Sequence, residues 1–386
     1  MKNLLIHKGD KTIWGVFFIL SLASLVLIYS ASSYIAVKQQ GGNNLHFLFK
    51  QIVIILIGYA FMQGMSRIKY SHFQWGSKLL LFIIIPLLLL TAILGTNINN
   101  ASRWLTIPFI GISFQSSDLA KIVLLAFLAR NLSKLPGKYS QQGSPFYYIA
   151  GGIFVPAIFV TILILPSNLS TALLVFTSAF YMMWLGQVKT RYLVALVGSG
   201  LFIVLILFLV TKSNPNLLPR VDTWVSRIEN FQGGDRDANY QVTQAKIAIA
   251  SNPLFGSLPG KSSQRAFLPS AHSDFIYAII IEEYGTIVGF MFIILYLILL
   301  YRGMQIARKS ETRFGAILAM GLMFSMILQA MINMGVAVNL LPVTGQPLPL
   351  LSLGGTSFIF TSITLGMIQS ISTGLKKEKE ELETIE

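Results

Sequence analysis

The chain has 386 residues, 54% of them hydrophobic and only 11% charged, with a mean hydropathy of +0.67. Soluble domains run nearer a quarter charged, so composition excludes a water-soluble fold and implies an all-α polytopic membrane protein. The net charge of +14 needs no nucleic-acid partner, because its excess gathers in the loops of one side and also suits anionic lipid headgroups. No cysteine is present, so no disulfide contributes.

Taken in chain order, apolar stretches of membrane-crossing length occur at ten places: 12–36, 46–65, 75–95, 117–133, 146–165, 169–187, 191–211, 273–301, 312–338 and 350–374. The first lacks a small-residue cleavage site and reads as a retained signal anchor. The fourth carries Asp118 and Lys121 in its first turn, and only Pro166-Ser167-Asn168 divides the fifth from the sixth. Lys and Arg set the orientation. They cluster before the first stretch (Lys8, Lys11) and after the second, fourth, sixth, eighth and tenth, as at Arg67, Lys134, Lys189, Arg308 and Lys377. The short loops opposite hold only Lys38 and Arg103. The positive-inside rule then predicts ten transmembrane helices with N- and C-termini cytoplasmic.

A large extracytoplasmic loop, about 212–272, follows the seventh helix. A loop of that length is expected to carry order of its own. Tyr240 to Ala250 reads as a short amphipathic helix whose Val242, Ile247 and Ile249 can face lipid or protein. Residues 1–375 are read as a single transmembrane domain and 376–386 as a charged, frayed cytoplasmic tail. No internal repeat is visible, which argues against transporters built from inverted halves.

Four outward-facing features can carry chemistry. The first is Asp274, at the threshold of the eighth helix with His272 beside it. An ionised carboxylate at a membrane boundary is costly unless paired or wet. It reads either as a helix N-terminal acid, with Ser273, or as a chemical group. Glu282 and Glu283 lie about 12 Å further along the helix, too far to pair with Asp274, and read as hydrogen bonds that lock the bundle. The second feature joins Arg103 to Gln115-Ser116-Ser117-Asp118-Leu119-Ala120-Lys121. Asp118 and Lys121 share a helix face and can simply pair; alternatively Lys121 and Arg103 offer cationic donors to a phosphate. The third, Asn252 to Arg265, contains Ser262 and Gln264 in an irregular loop that reads as a surface turn or as backbone presented to an anion. The fourth, Leu341 to Ser357, holds three prolines and three glycines and cannot be a regular helix. In a membrane such backbone survives only inside protein or around a wet cavity. With no Cys and only His272 near a candidate site, a zinc centre is not expected.

At these places the chain resembles the SEDS family of bacterial integral membrane proteins. Gln115 to Lys121 is similar to the family's FQPSELAK, Leu268 to Gly285 to its LPxxxTDFIFAxxxEExG, and Leu341 to Ser357 to its LPxTGxxLPFxSxGGSS. The motifs follow the family's order along nearly the whole chain. The resemblance implies a peptidoglycan glycosyltransferase that polymerises lipid II at the outer face of the cytoplasmic membrane. It also implies a class B penicillin-binding protein, an FtsI-like transpeptidase, as partner, with other divisome proteins. The family's acidic TDFIF residue carries over to Asp274 and the SELAK lysine to Lys121. The chain departs from the family pattern at several places: Asp118 stands for the usual Glu, Ser116 for the Pro, and Asn168 replaces the acid of PDLGT, so Asn168 cannot serve as acid or base. The Gly256 to Arg265 loop lacks the usual GxGxGxS pattern. Such divergence, with PxNLSTA, matches the Bacteroidetes type and favours the division branch over elongation.

The resulting expectation is an inverting transfer from an α-linked lipid pyrophosphate to a β-1,4 glycan, with Asp274 as catalytic base. Lys121 and Arg103 would neutralise the pyrophosphate, with a divalent cation able to share that task. Gln115, Asp118, Ser262, Gln264 and His272 complete the expected substrate-binding set. Rival readings are a lipid II flippase, which would need polar groups along the inner helix halves such as Glu282, Glu283, Gln329 and Asn333, and a non-catalytic scaffold.

Overall fold

The computed structural model describes residues 8–32, 44–98, 101–106, 113–135, 146–213, 227, 231, 240–251, 254–268 and 271–383. A helix occupies each of the ten expected ranges. These are α1 (Lys11–Ala31), α2 (Asn44–Arg67), α3 (Tyr70–Leu94), α4 (Ser116–Ser133), α5 (Phe146–Ile149, running on to Ile164), α6 (Leu169–Leu185) and α7 (Thr190–Ser213). The short α8 (Tyr240–Ser251) stands where the amphipathic helix was expected, and α9 (Ile276–Lys309), α10 (Arg313–Ala337) and α11 (Thr356–Glu383) complete the set. Among the described residues six helices are long and apolar enough to cross a membrane, and α5, α6 and α7 supply shorter apolar segments. The protein is therefore an all-α, multi-pass membrane protein.

Three local features differ from the expectation. A small antiparallel sheet, β1 (Thr96–Ile98), β2 (Ala101–Thr106) and β3 (Ser113–Gln115), precedes α4. Trp104 pairs with Gln115 and Leu105 with Phe114, a stretch whose aromatic and β-branched residues suit strands. The last helix runs through the charged tail to Glu383, in keeping with the helix propensity of Lys, Glu and Leu. Within α5 a π turn at Ala150–Phe154 loosens the backbone, and Asn131 Nδ2 donates to the Gly152 carbonyl at 2.6 Å.

The chain divides into two compact units. The first comprises Met1–Ile68, Arg227–Gly303 and Met326–Glu380. Here α2 and α11 pack through small residues: a Cβ at Gly58 would lie 2.7 Å from Phe358 and Ser362, and one at Gly366 2.7 Å from the Met62 backbone. Such close approach is what holds helices together where lipid gives no hydrophobic drive. Asp10 caps α1 by accepting from Thr12 N and Ile13 N at 2.8 and 3.1 Å, and its other oxygen pairs with Arg302. Gln369 of α11 brackets the same residue, donating to the Asp10 carbonyl at 2.8 Å and accepting its N–H at 2.6 Å.

The second unit comprises Lys69–Ser226, Met304–Ser325 and Glu381–Glu386. Arg313 donates to the Leu135 carbonyl and, at 3.0 Å, to that of Gly186, so one guanidinium satisfies the open ends of α4 and α6. Tyr181 stacks on Phe324 at 3.9 Å between ring centroids. Asn168 caps α6 by accepting from Thr171 N at 3.2 Å. The amide that stands where the family pattern has an acid therefore has a helix-capping job, which needs only an acceptor oxygen.

Candidate active site

In the first unit, Asp274 lies in the turn 271–275 just ahead of α9, half-buried. The turn rests on the irregular segment 341–355. Leu353 N donates to the His272 carbonyl at 2.9 Å, and Ser352 Oγ to the Ser273 carbonyl at 2.6 Å. Asn333 Nδ2, fully buried on α10, donates to the carbonyls of both Asp274 (2.9 Å) and Gln346 (2.7 Å), tying turn and segment to one amide. Gln329 Nε2 holds the Pro347 carbonyl at 2.9 Å and the buried Tyr296 hydroxyl holds that of Pro349. The proline-rich backbone thus finds its partners in side chains of α9 and α10, the condition for irregular chain at membrane depth.

Gly345 (φ +69°) forms the floor beneath the acid: a Cβ there would lie 3.6 Å from Asp274 Oδ2. Arg227, from the large loop, donates from Nη1 to the Val343 carbonyl at 3.1 Å, two residues from Gly345. Burial lowers the pKa of its guanidinium, and the nearby Asp274 charge opposes that shift. Sequence reading missed Arg227; an arginine among the apolar Trp224, Val225 and Ile228 was the available signal. Burial also pushes the His272 pKa down to about 4, so its imidazole is neutral at pH 7.

Ser262 and Gln264 belong to the first unit as well, but their groups are directed to Glu282. Its buried carboxylate accepts from Ser262 Oγ, from Ser263 N and Oγ at 2.8 and 3.0 Å, and from Gln264 N at 3.1 Å. Glu283, also buried, accepts from Ser30 Oγ and from Ser262 N at 3.4 Å. The two glutamates thus make locking hydrogen bonds of the kind expected of them.

The other four expected residues belong to the second unit. Arg103 sits on β2, and β3 delivers Gln115 directly to the start of α4, where its Nε2 donates to Ser117 Oγ at 2.8 Å. Asp118 is buried in the first turn of α4, and Lys121 one turn on is near enough for their charges to attract. Thr91 Oγ1 donates to Ser116 Oγ at 2.8 Å, fixing this turn to α3. Among the described residues no group of three or more His, Cys, Asp or Glu is placed to hold a metal ion.

The family model FTSW_RODA_SPOVE, described as "Cell cycle protein", matches residues 10–377. A probable peptidoglycan glycosyltransferase FtsW of Geobacter sp. (strain M18) is 31% identical over 366 residues, 93% of this chain and 95% of that one. The peptidoglycan glycosyltransferase MrdB of Escherichia coli (strain K12) is 30% identical over 382 residues, 96% of this chain and 98% of that one. Two solved structures share the fold. One is reported under "Structural coordination of polymerization and crosslinking by a peptidoglycan synthase complex" (TM-score 0.68, 24% identity, 95% of this chain and 98% of that one). The other is Thermus thermophilus rod shape determining protein RodA (TM-score 0.66, 22% identity, 94% and 96%).

Proposed function

The chain belongs to the SEDS family, that of FtsW, RodA and SpoVE, and we propose that Asp274 is the general base of its glycosyl transfer. Its relatives are named peptidoglycan glycosyltransferases, and this chain is one. The substrate is lipid II. The acceptor sugar's 4-hydroxyl attacks the anomeric carbon of the α-linked lipid pyrophosphate, its proton passes to the Asp274 carboxylate, and undecaprenyl pyrophosphate departs. One displacement inverts the centre and leaves the β-1,4 bond. The leaving group is already a good one, so no strong general acid is needed.

The observation that carries this reading is the Asp274 cradle. A carboxylate is held over a glycine floor by a turn whose carbonyls are fixed by Asn333 and Ser352. A base acts only when held within hydrogen-bond reach of its proton. Arg227 lends positive charge beside it. Lys121 and Arg103 neutralise the pyrophosphate, a role that rests on the motif they share with the family. We infer ten spans with both termini cytoplasmic and the large loop outside, an arrangement in which Asp274 stands at the outer face of the inner membrane. The partner is a class B penicillin-binding transpeptidase, in keeping with the synthase complex that shares this fold, and the role is septal. A flippase would need a path of free polar groups; the candidates Glu282, Gln329 and Asn333 instead hold backbone and serine groups.

The test is polymerisation of labelled lipid II by purified protein, with and without its penicillin-binding partner. Asp274→Asn should melt as wild type does and lose activity by about 100-fold or more. Full activity in that variant would move the base elsewhere. No polymer from wild type, partner included, would sink the polymerase reading and favour translocation.

A further inference from the structure

The helix α9 is broken at Gly285 (φ +83°, ψ 168°), ten residues into its length, and the loop tip 254–258 is docked into the break. A Cβ on Gly285 would lie 2.0 Å from the Leu254 carbonyl oxygen, and one on Gly256 (φ +72°) would lie 2.3 Å from that of Glu283. Two glycine backbones therefore meet where no side chain fits. Ser257 N donates to the Glu282 carbonyl at 2.9 Å and Leu258 N to that of Glu283 at 3.0 Å, so two carbonyls at the break and two N–H groups of the tip satisfy each other. The Glu282 carboxylate then clamps residues 262–264 behind the tip.

Depth along α9 fixes where this tip lies. Arg302 marks one boundary of the membrane, pairing with Asp10 at the start of α1. Gly285 is 17 residues away, about 26 Å of helix, against a hydrocarbon thickness of about 30 Å. The break therefore falls just inside the opposite edge of the acyl-chain region. At that level the tip exposes Leu254 (61%), Phe255 (81%) and Leu258 (59%). Immediately beyond the break, α9 exposes Ile287, Phe290, Met291 and Ile294, the face of a spanning helix that meets lipid. Lys261, exposed three residues after Leu258, has the reach and charge for the headgroup layer.

We propose that residues 254–258 form a membrane-inserted wedge, anchored in the break of α9, that presents Leu254, Phe255 and Leu258 to the acyl chains of the adjoining leaflet. Apolar side chains on a backbone docked through hydrogen bonds to protein, as Ser257 N and Leu258 N are, suit insertion. The wedge would tie the large polar loop to the bilayer surface and so hold its level relative to the turn that carries Asp274.

The chain contains no cysteine, so single nitroxide sites can be introduced into the full-length protein without background. Phe255→Cys, Ile294→Cys and Lys261→Cys would be labelled, reconstituted into phosphatidylethanolamine/phosphatidylglycerol vesicles, and relaxed with oxygen or a water-soluble nickel chelate. Position 255 should fall between 294 and 261, relaxed by oxygen more than 261 and losing most of the nickel effect seen at 261. Nickel relaxation equal to that at 261 would overturn the proposal. Protection of 255 from both reagents would overturn it too, and would mean that protein covers the tip. If Phe255→Cys fails to fold, Leu254→Cys and Leu258→Cys carry the same expectation.

Discussion

Two turns, each with an aspartate just before or just inside a membrane helix, are built by opposite means. Asp118 stands in the regular first turn of α4, its balancing charge Lys121 three residues on and Gln115 supplied by the preceding strand. Asp274 stands in an irregular turn, and the groups that hold it come from Asn333 and Ser352, 59 and 79 residues from their partners. A carboxylate balanced by its own helix needs little else and is easily buried. One carried on a turn that distant side chains hold by its carbonyls has its place set by the fold rather than by its own helix, which is the positioning that chemistry needs.

The comparison is broken most sharply by exchanging carboxylate for amide. Asp274→Asn should remove polymerisation while leaving the melting temperature unchanged. Asp118→Leu should instead strip the charge balance from Lys121 and cost about 3 kcal/mol of stability. The double variant Asp118→Leu/Lys121→Met should recover most of that stability in thermal melts yet stay inactive, because the cation proposed for the pyrophosphate is gone. Recovery of polymer synthesis by the double variant would remove Lys121 from the mechanism.

Smaller changes sharpen the contrast. Asn333→Leu strips donors from two buried carbonyls and should cost about 2 kcal/mol, together with a fall in kcat as the Asp274 turn loosens. His272 in that turn adds a pH dependence. Its folded pKa of about 4 lies below the unfolded value near 6.5. The unfolded chain binds more protons between these values, so stability is fully present above pH 6.5 and declines as pH falls towards 4. At pH 5 the loss is about 2 kcal/mol, and His272→Gln should flatten that part of the melting profile. Asn168→Ala should cost about 1 kcal/mol through its cap, with polymerisation per folded molecule unchanged; Asn168→Asp should retain both.

Much of this architecture was legible in one dimension. A membrane helix satisfies its own backbone, so a run of apolar residues is enough to announce a helix, and a helix occupies each expected range, six of them, among the described residues, long and apolar enough to cross a membrane. The Asp118–Lys121 spacing was equally readable, because helical neighbours are set by the 3.6-residue repeat. The break at Gly285 was not: apolar residues continue on both sides of it, and only the docked Leu254 carbonyl explains why glycine is required. Ser262 and Gln264 looked free to meet an anion, yet the clamp they form on Glu282 closes between residues about twenty apart.

The sequence by itself determined the membrane class, the helix ranges and the family, and it singled out the acid proposed as base, since hydropathy, local spacing and motif are properties of neighbouring residues. Only the tertiary structure decided what surrounds that acid. Arg227, Asn333 and Gly345 come together at Asp274 because buried carbonyls in an irregular segment must find donors, and in a low-dielectric interior those donors come from wherever the fold brings them.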